Sequence, residues 1–183
     1  MNKVLIIGSG GAGKSTLARR LSQILNLQVI HLDSLYWSPG WVEMPKAEWK
    51  ETVEGLLNQD SWIMDGNYSG TLDLRLKACD TVIFLDMARP VCLWRLFKRH
   101  MLYRKKGRPD MAEGCPERFS LEFIIWVWNY RKRTRPKIIK MLKESSKSKN
   151  VIWLRSKSEV ERFLASAKDA EQVVGPDAAK HVS

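Results

Sequence analysis

At 183 residues and 44% hydrophobic content, the chain is long enough for one α/β domain with a buried sheet, and it has no apolar run of the roughly 18 residues that a membrane span needs. Three widely spaced cysteines (Cys79, Cys92, Cys115) suit neither a disulfide framework nor a zinc site, and no signal peptide precedes the first strand, so a cytoplasmic protein is expected. The net charge of +11 is local: residues 95–143 hold fifteen Lys/Arg and four Asp/Glu, and the remainder is neutral, so this segment is expected to meet something anionic.

In chain order, Lys3–Ile7 is a short β-branched apolar run. Gly8-Ser-Gly-Gly-Ala-Gly-Lys14-Ser15 follows at once, and a helical pattern begins at Thr16. This is G-x-x-x-x-G-K-[ST] between a strand and a helix, the P-loop. Glycines let backbone N–H groups turn in around phosphates, and the helix start points its unpaired N–H groups at the same anion. The phosphate cradle is therefore Gly8, Ser9, Gly10, Gly11, Ala12, Gly13, Lys14, Ser15 and Thr16. Lys14 is expected on the β/γ-phosphates and the Ser15 hydroxyl on Mg²⁺. The ligand implied is a nucleoside di- or triphosphate.

Further strands are expected at Gln28–Leu32, Trp62–Asp65, Thr81–Asp86 and Asn150–Leu154, each a brief apolar run of the kind buried in a parallel sheet. Between them lie helical patterns. One spans 46–58 after Pro45, with Trp49, Val53, Leu56 and Leu57 on one face, and a short one covers 72–77. A third opens at Pro90, its core side expected at Val91, Trp94 and Phe97. Residues 103–117 form a Gly/Pro/charge-rich loop, and a long helix is expected over 117–143, bent at Pro136. A last helix, at 158–168, has Ser158 as its candidate cap. The domain is placed at 1–169, with a lid at about 99–135 and an acceptor segment at about 33–60; residues 170–183 are expected to fray.

These motifs resemble the adenylate-kinase branch of P-loop kinases. The resemblance is carried by the P-loop, by Trp62-Ile-Met-Asp65-Gly66, by Thr81–Asp86 leading through Pro90 to Arg95 and Arg99, and by Tyr130 and Thr134-Arg-Pro136. It implies a three-layer α/β/α fold, a five-stranded parallel sheet in the order 2-3-1-4-5, a basic lid, and ATP with Mg²⁺ as cofactors. It places Arg95 against the ATP site and Arg99 on phosphate. The acceptor side departs from adenylate kinases, because the first Arg after Asp65-Gly66 is Arg75. Asp33-Ser-Leu-Tyr36 is more similar to the post-strand Asp of uridine-kinase-like enzymes, a base toward a hydroxyl. The runs His31–Trp41, Trp62–Tyr68, Arg108–Arg118 and Trp126–Arg135 resemble the DNA-topology-modulation (FlaR-like) proteins, themselves kinase-like.

Asp33 is thus read as general base or as a group beside Mg²⁺, and Asp65 as the carboxylate that holds Mg²⁺ through water, with Asp86 its rival. His31 is assigned no role. Lys14, Arg99, Arg131 and Arg135 are the cations chosen for phosphoryl transfer, since Arg forks neutralise charge spread over phosphoryl oxygens. The acceptor set is Tyr36, Trp37, Trp41, Asn67, Tyr68 and Arg75, with Trp49 assigned to the core. Two functions compete. One is an ATP-dependent kinase acting on a small nucleoside- or nucleotide-like molecule. The other is a nucleotide-regulated nucleic-acid binder that uses the basic segment 95–143 and its Trp126, Trp128 and Tyr130. A membrane-surface role for residues 123–143 is set aside because the Trp/Ile face is needed for the core.

Overall fold

The computed structural model describes residues 1–103, 110–118 and 120–174. The elements, in order, are β1 (Lys3–Gly8), α1 (Lys14–Leu25), β2 (Val29–His31), α2 (Leu32–Tyr36), β3 (Trp37–Ser38), β4 (Val42–Glu43), α3 (Lys46–Leu57), β5 (Trp62–Asp65), a 3₁₀ turn (Ser69–Thr71), α4 (Leu72–Ala78), β6 (Thr81–Leu85), α5 (Arg89–Tyr103), α6 (Leu121–Arg133), α7 (Arg135–Ser145), β7 (Asn150–Leu154) and α8 (Lys157–Val174). Five strands form one sheet in the order β2-β5-β1-β6-β7, all pairs parallel, which is the expected 2-3-1-4-5. Helices connect its strands, as parallel pairing requires.

Period-two alternation in β1 divides the core. Val4 and Ile6 join Ile63, Ile83 and Leu85 under α1, α5 and α8, whereas Leu5 and Ile7 join Met64, Val82 and Phe84 under α3, α4 and α7. Every one of these side chains is at most 1% exposed. Truncating a leucine such as Leu5 to alanine in so dense a layer typically costs about 2–5 kcal/mol. Among the described residues no helix is long and apolar enough to cross a membrane.

Three expectations are corrected. The core side of α5 is Cys92 and Leu96, not Val91, Trp94 and Phe97, which are 40%, 64% and 51% exposed. The reading by hydrophobicity chose the wrong stripe, because it could not see that the α5 backbone lies directly on the P-loop: a Cβ on Gly11 would collide with the Cys92 carbonyl oxygen. The long helix is two helices broken at Thr134, with Pro136 in the first turn of α7, where its missing N–H costs nothing. Ser156, rather than Ser158, caps α8 by accepting from the Glu159 N–H at 3.2 Å. The antiparallel pair β3–β4 was not foreseen. In the expected tail, residues 170–174 continue α8, while 175–183 lie outside the described residues.

Candidate functional site

The P-loop wraps a cavity of about 460 Å³ at the carboxyl end of the sheet. Residues 10–16 form its floor, Asp33 one wall, Arg95, Arg99, Tyr103 and Phe123 another, and Lys157, Val160 and Glu161 of α8 a third. Gly11 and Gly13 hold φ of 74° and 101°, a region that disfavours any side chain. A Cβ on Gly10 would lie 2.5 Å from the Phe123 ring. The loop is thus wedged under α5 and α6 in one shape. Gly13 begins α1 with no side-chain cap, so the first-turn N–H groups and the positive end of the helix face the cavity.

Lys14 Nζ donates to the carbonyls of Gly8 and Ser9, at 3.1 Å each. Burial holds its pKa below the usual lysine value, while Asp33 and Asp65 pull the other way. A desolvated ammonium surrounded by N–H donors is arranged to gain from an anion.

Two carboxylates end two strands on this side, in different surroundings. Asp33, in the first turn of α2, lines the cavity and accepts a 2.7 Å hydrogen bond from the Tyr68 hydroxyl. Burial first, then the Asp33 charge, keep the Tyr68 phenol protonated by pushing its pKa far up. Asp65 is 4% exposed and lies beside the cavity rather than in its lining. The β2–β5 register sets His31 opposite Asp65, and His31 Nδ1 lies 2.8 Å from its Oδ1. Burial lowers the His31 pKa, but the hydrogen bond and charge of Asp65 outweigh it and carry it upward. His31 was given no role from sequence, because a single strand-end histidine does not reveal its register.

The basic residues sort by position. Arg95 Nη1 donates to Ala12 O at 2.8 Å, and Arg99 Nε donates to Glu117 at 2.9 Å; both line the cavity. Arg131 and Arg135 stand outside the cavity lining. Arg131 lies on the exposed face of α6 and does not line the cavity. Arg135 grips Asp86 with two bonds, Nε to Oδ1 at 2.8 Å and Nη2 to Oδ2 at 2.7 Å, which ties α7 to the end of β6. Asp86 is thereby occupied as well. Arg104 and Arg108 of the expected lid lie outside the described residues.

The acceptor set also divides. Asn67 exchanges two hydrogen bonds with the Gly8 backbone. Arg75, 0% exposed, donates from its guanidinium to the carbonyls of Gly66, Asn67, Tyr68 and Thr71 and holds the loop after β5. Burial lowers its pKa to about 10. Tyr36 packs against Trp37, Trp49 and Tyr68, with ring centres 4.7–5.1 Å apart. Trp41 continues the cluster from Trp37 at 5.4 Å, and its indole N–H donates to Pro116 O at 3.2 Å while the Arg118 guanidinium covers its ring at 4.7 Å. Gly40 N–H bonds Gly114 O at 3.0 Å, so β3–β4 and segment 110–118 are sewn together. Neither Trp37 nor Trp41 lines the cavity. Phe123, Glu117 and the α8 residues carried no sequence signal for the site; Phe123 sits in an apolar run that reads as core.

No protein-family model matches the chain. It is similar to shikimate kinase of Leptospira biflexa serovar Patoc, 25% identical over 178 residues that span 86% of this chain and 98% of that enzyme. A gluconokinase from Sinorhizobium meliloti 1021 shares the fold, with a TM-score of 0.52 at 11% identity over 94% of this chain and 93% of that one. Protein YqaC of Bacillus subtilis (strain 168) is 30% identical over 128 residues, which cover 68% of this chain and 70% of YqaC. With a P-loop, a parallel sheet in kinase order and this extent of identity, the chain is a P-loop kinase-like protein and belongs to the family of YqaC.

Proposed function

We infer that the protein transfers the γ-phosphoryl group of ATP to a hydroxyl of a small polar acceptor. The observation that carries this reading is that the Asp33 carboxylate, held by Tyr68, shares one cavity with the P-loop. The groups present fit both cofactors. The cradle has two glycines at positive φ, a buried lysine and uncapped helix N–H groups, a donor set for phosphates. Mg²⁺ keeps most of its waters and needs only one or two protein oxygens besides phosphate, a demand that Ser15 and Asp65 or Asp33 meet.

When bound, ATP supplies the phosphoryl group and Mg²⁺ the charge that neutralises its oxygens. Lys14 leaves the Gly8 and Ser9 carbonyls for phosphate, which its desolvation favours. Arg95 and Arg99 stabilise the equatorial oxygens from the opposite wall. Asp33 orients the acceptor hydroxyl and takes its proton as the new P–O bond forms. Asp65, oriented by His31, acts on the metal side. Tyr36 and the aromatic residues beside it shape the approach to Asp33. Similarity to shikimate kinase favours a hydroxylated small molecule over an AMP-like acceptor. The FlaR-like resemblance names an effect on DNA and no reaction, and it fits a kinase equally well.

The test is product analysis by mass spectrometry after incubation with ATP, Mg²⁺ and a panel of polyols, hydroxy acids and nucleosides. One acceptor should gain a phosphoryl group, and Lys14→Ala should abolish the product while its melting curve stays cooperative. Product formation undiminished in Lys14→Ala would overturn the reading.

A further inference from the structure

The helices beside the cavity expose what a core would normally hide. Trp94, Phe97, Met101 and Leu102 stand on the outer side of α5 at 51–64% exposure. On α6, Leu121, Ile125 and Trp128 do the same at 50–64%, so the core does not take up the whole Trp/Ile face of this segment, the ground on which a membrane-surface role was set aside from sequence. The residues fall at i, i+3, i+7, i+8 on one helix and i, i+4, i+7 on the other, so each set makes a stripe. The helices pack together, and a groove of about 250 Å³ lies between them, lined by Leu93, Phe97 and Ile124 and on its polar side by Arg99, Glu117 and Arg118. A contiguous patch of this kind on a protein marks an interaction site.

The charges around the patch say what covers it. Among the described residues of α5, α6 and Arg118 beside them, its exposed or half-exposed border carries Arg89, Lys98, Arg118 and Lys132 against the acid Glu122. The Arg89 guanidinium rests on the Trp128 ring, 4.5 Å from its centre, a cation fixed at the edge of an apolar surface. A second copy would bring the same cations to the same border, and like charges oppose that pairing. A nucleic acid would satisfy the cations and stack on the indoles, but it has no use for the aliphatic Leu102, Leu121 and Ile125. An anionic bilayer satisfies both, with acyl chains for the aliphatic groups, the interfacial zone for Trp, and headgroups for Lys and Arg.

We propose that the α5/α6 face docks peripherally on the surface of an anionic lipid bilayer. The proposal is independent of the kinase reading, and the positions varied to test it, Trp94 and Trp128, do not line the P-loop cavity. It is tested by cosedimentation of the full chain with vesicles of phosphatidylcholine alone or mixed with phosphatidylglycerol. The protein should pellet with the mixed vesicles, stay in solution with the neutral ones, and bind at least about tenfold more weakly when salt shortens the Debye length from about 10 to about 3 Å. The double variant Trp94→Glu/Trp128→Glu changes only exposed positions. It should melt as the parent does and bind mixed vesicles at least about tenfold more weakly, by loss of apolar burial and gain of repulsion. Failure of the parent to pellet with anionic vesicles at low salt would overturn the proposal, as would equal pelleting by the double variant. Light scattering and oligonucleotide titration run beside it. A dimer that the double variant dissolves, or tight single-strand binding that it abolishes, with no vesicle binding in either case, would give the face to a second copy or to nucleic acid instead.

Discussion

Asn67 holds both backbone polar groups of Gly8: the Gly8 N–H donates to Asn67 Oδ1 at 3.1 Å, and Asn67 Nδ2 donates to the Gly8 carbonyl at 2.7 Å. The amide thus imitates a neighbouring strand where β1 gives way to the P-loop. Asn67 is in turn held by Arg75, which binds its backbone carbonyl. The phosphate cradle is supported from the loop after β5, and residues assigned from sequence to the acceptor are part of that support.

Asn67→Ala should leave both Gly8 groups without these partners and lower stability by about 1–3 kcal/mol. Asn67→Asp should be worse, because one carboxylate oxygen would face the Gly8 carbonyl. Thermal melts rank the variants. Nucleotide-induced stabilisation should shrink in both, since the cradle is no longer held in one shape.

Arg75→Met keeps much of the side-chain volume and removes the donors to four carbonyls. Hydrogen bonds from charged groups contribute about 1.5–3 kcal/mol each when lost singly, and a buried site leaves the carbonyls without water. Urea unfolding should show a loss of at least about 2 kcal/mol with little change in slope. A variant as stable as the parent would show that the guanidinium is dispensable to this loop.

Asp33 and Tyr68 should separate in kinetics. Asp33→Asn removes the proposed base and should lower kcat by about 10²–10⁴-fold, the range of general base catalysis. Tyr68→Phe retains the carboxylate but frees its orientation, so kcat should fall by only about tenfold. Equal losses in the two variants would place Asp33 in a structural role.

Asp80 gives a stability change with a definite sign. Its carboxylate accepts the N–H groups of Asn2 and Lys3 at 2.7 Å each. Burial pushes its pKa up, but these bonds and one from Thr81 outweigh it and hold the pKa below the usual aspartate value. The contribution is therefore fully present above the unfolded value of about 3.9 and is lost as pH falls through the lower folded value. Partial exposure keeps it modest. Asp80→Asn should lower the melting temperature at pH 6, and the gap to the parent should narrow as pH falls below the unfolded aspartate value.

The sequence determined most of the frame. Short β-branched runs between helical patterns permit little but a parallel sheet, and both Trp62–Asp65 and Asn150–Leu154 were legible to the residue. The G-x-x-x-x-G-K-S run determined the glycine-rich turn between β1 and α1, where Gly11 and Gly13 take positive φ, and so the loop proposed to cradle phosphate. Which side of a helix faces inward was decided by tertiary structure. Hydrophobicity alone put Trp94 and Phe97 inside, but α5 lies so close to the P-loop that only the side of Cys92 and Leu96 fits there. The partner of each charge was decided in the same way. Arg135 turns to Asp86, Arg75 to its carbonyls and His31 to Asp65, because electrostatic and hydrogen-bond energies depend on distances that sequence spacing across 49, 9 and 34 residues does not encode.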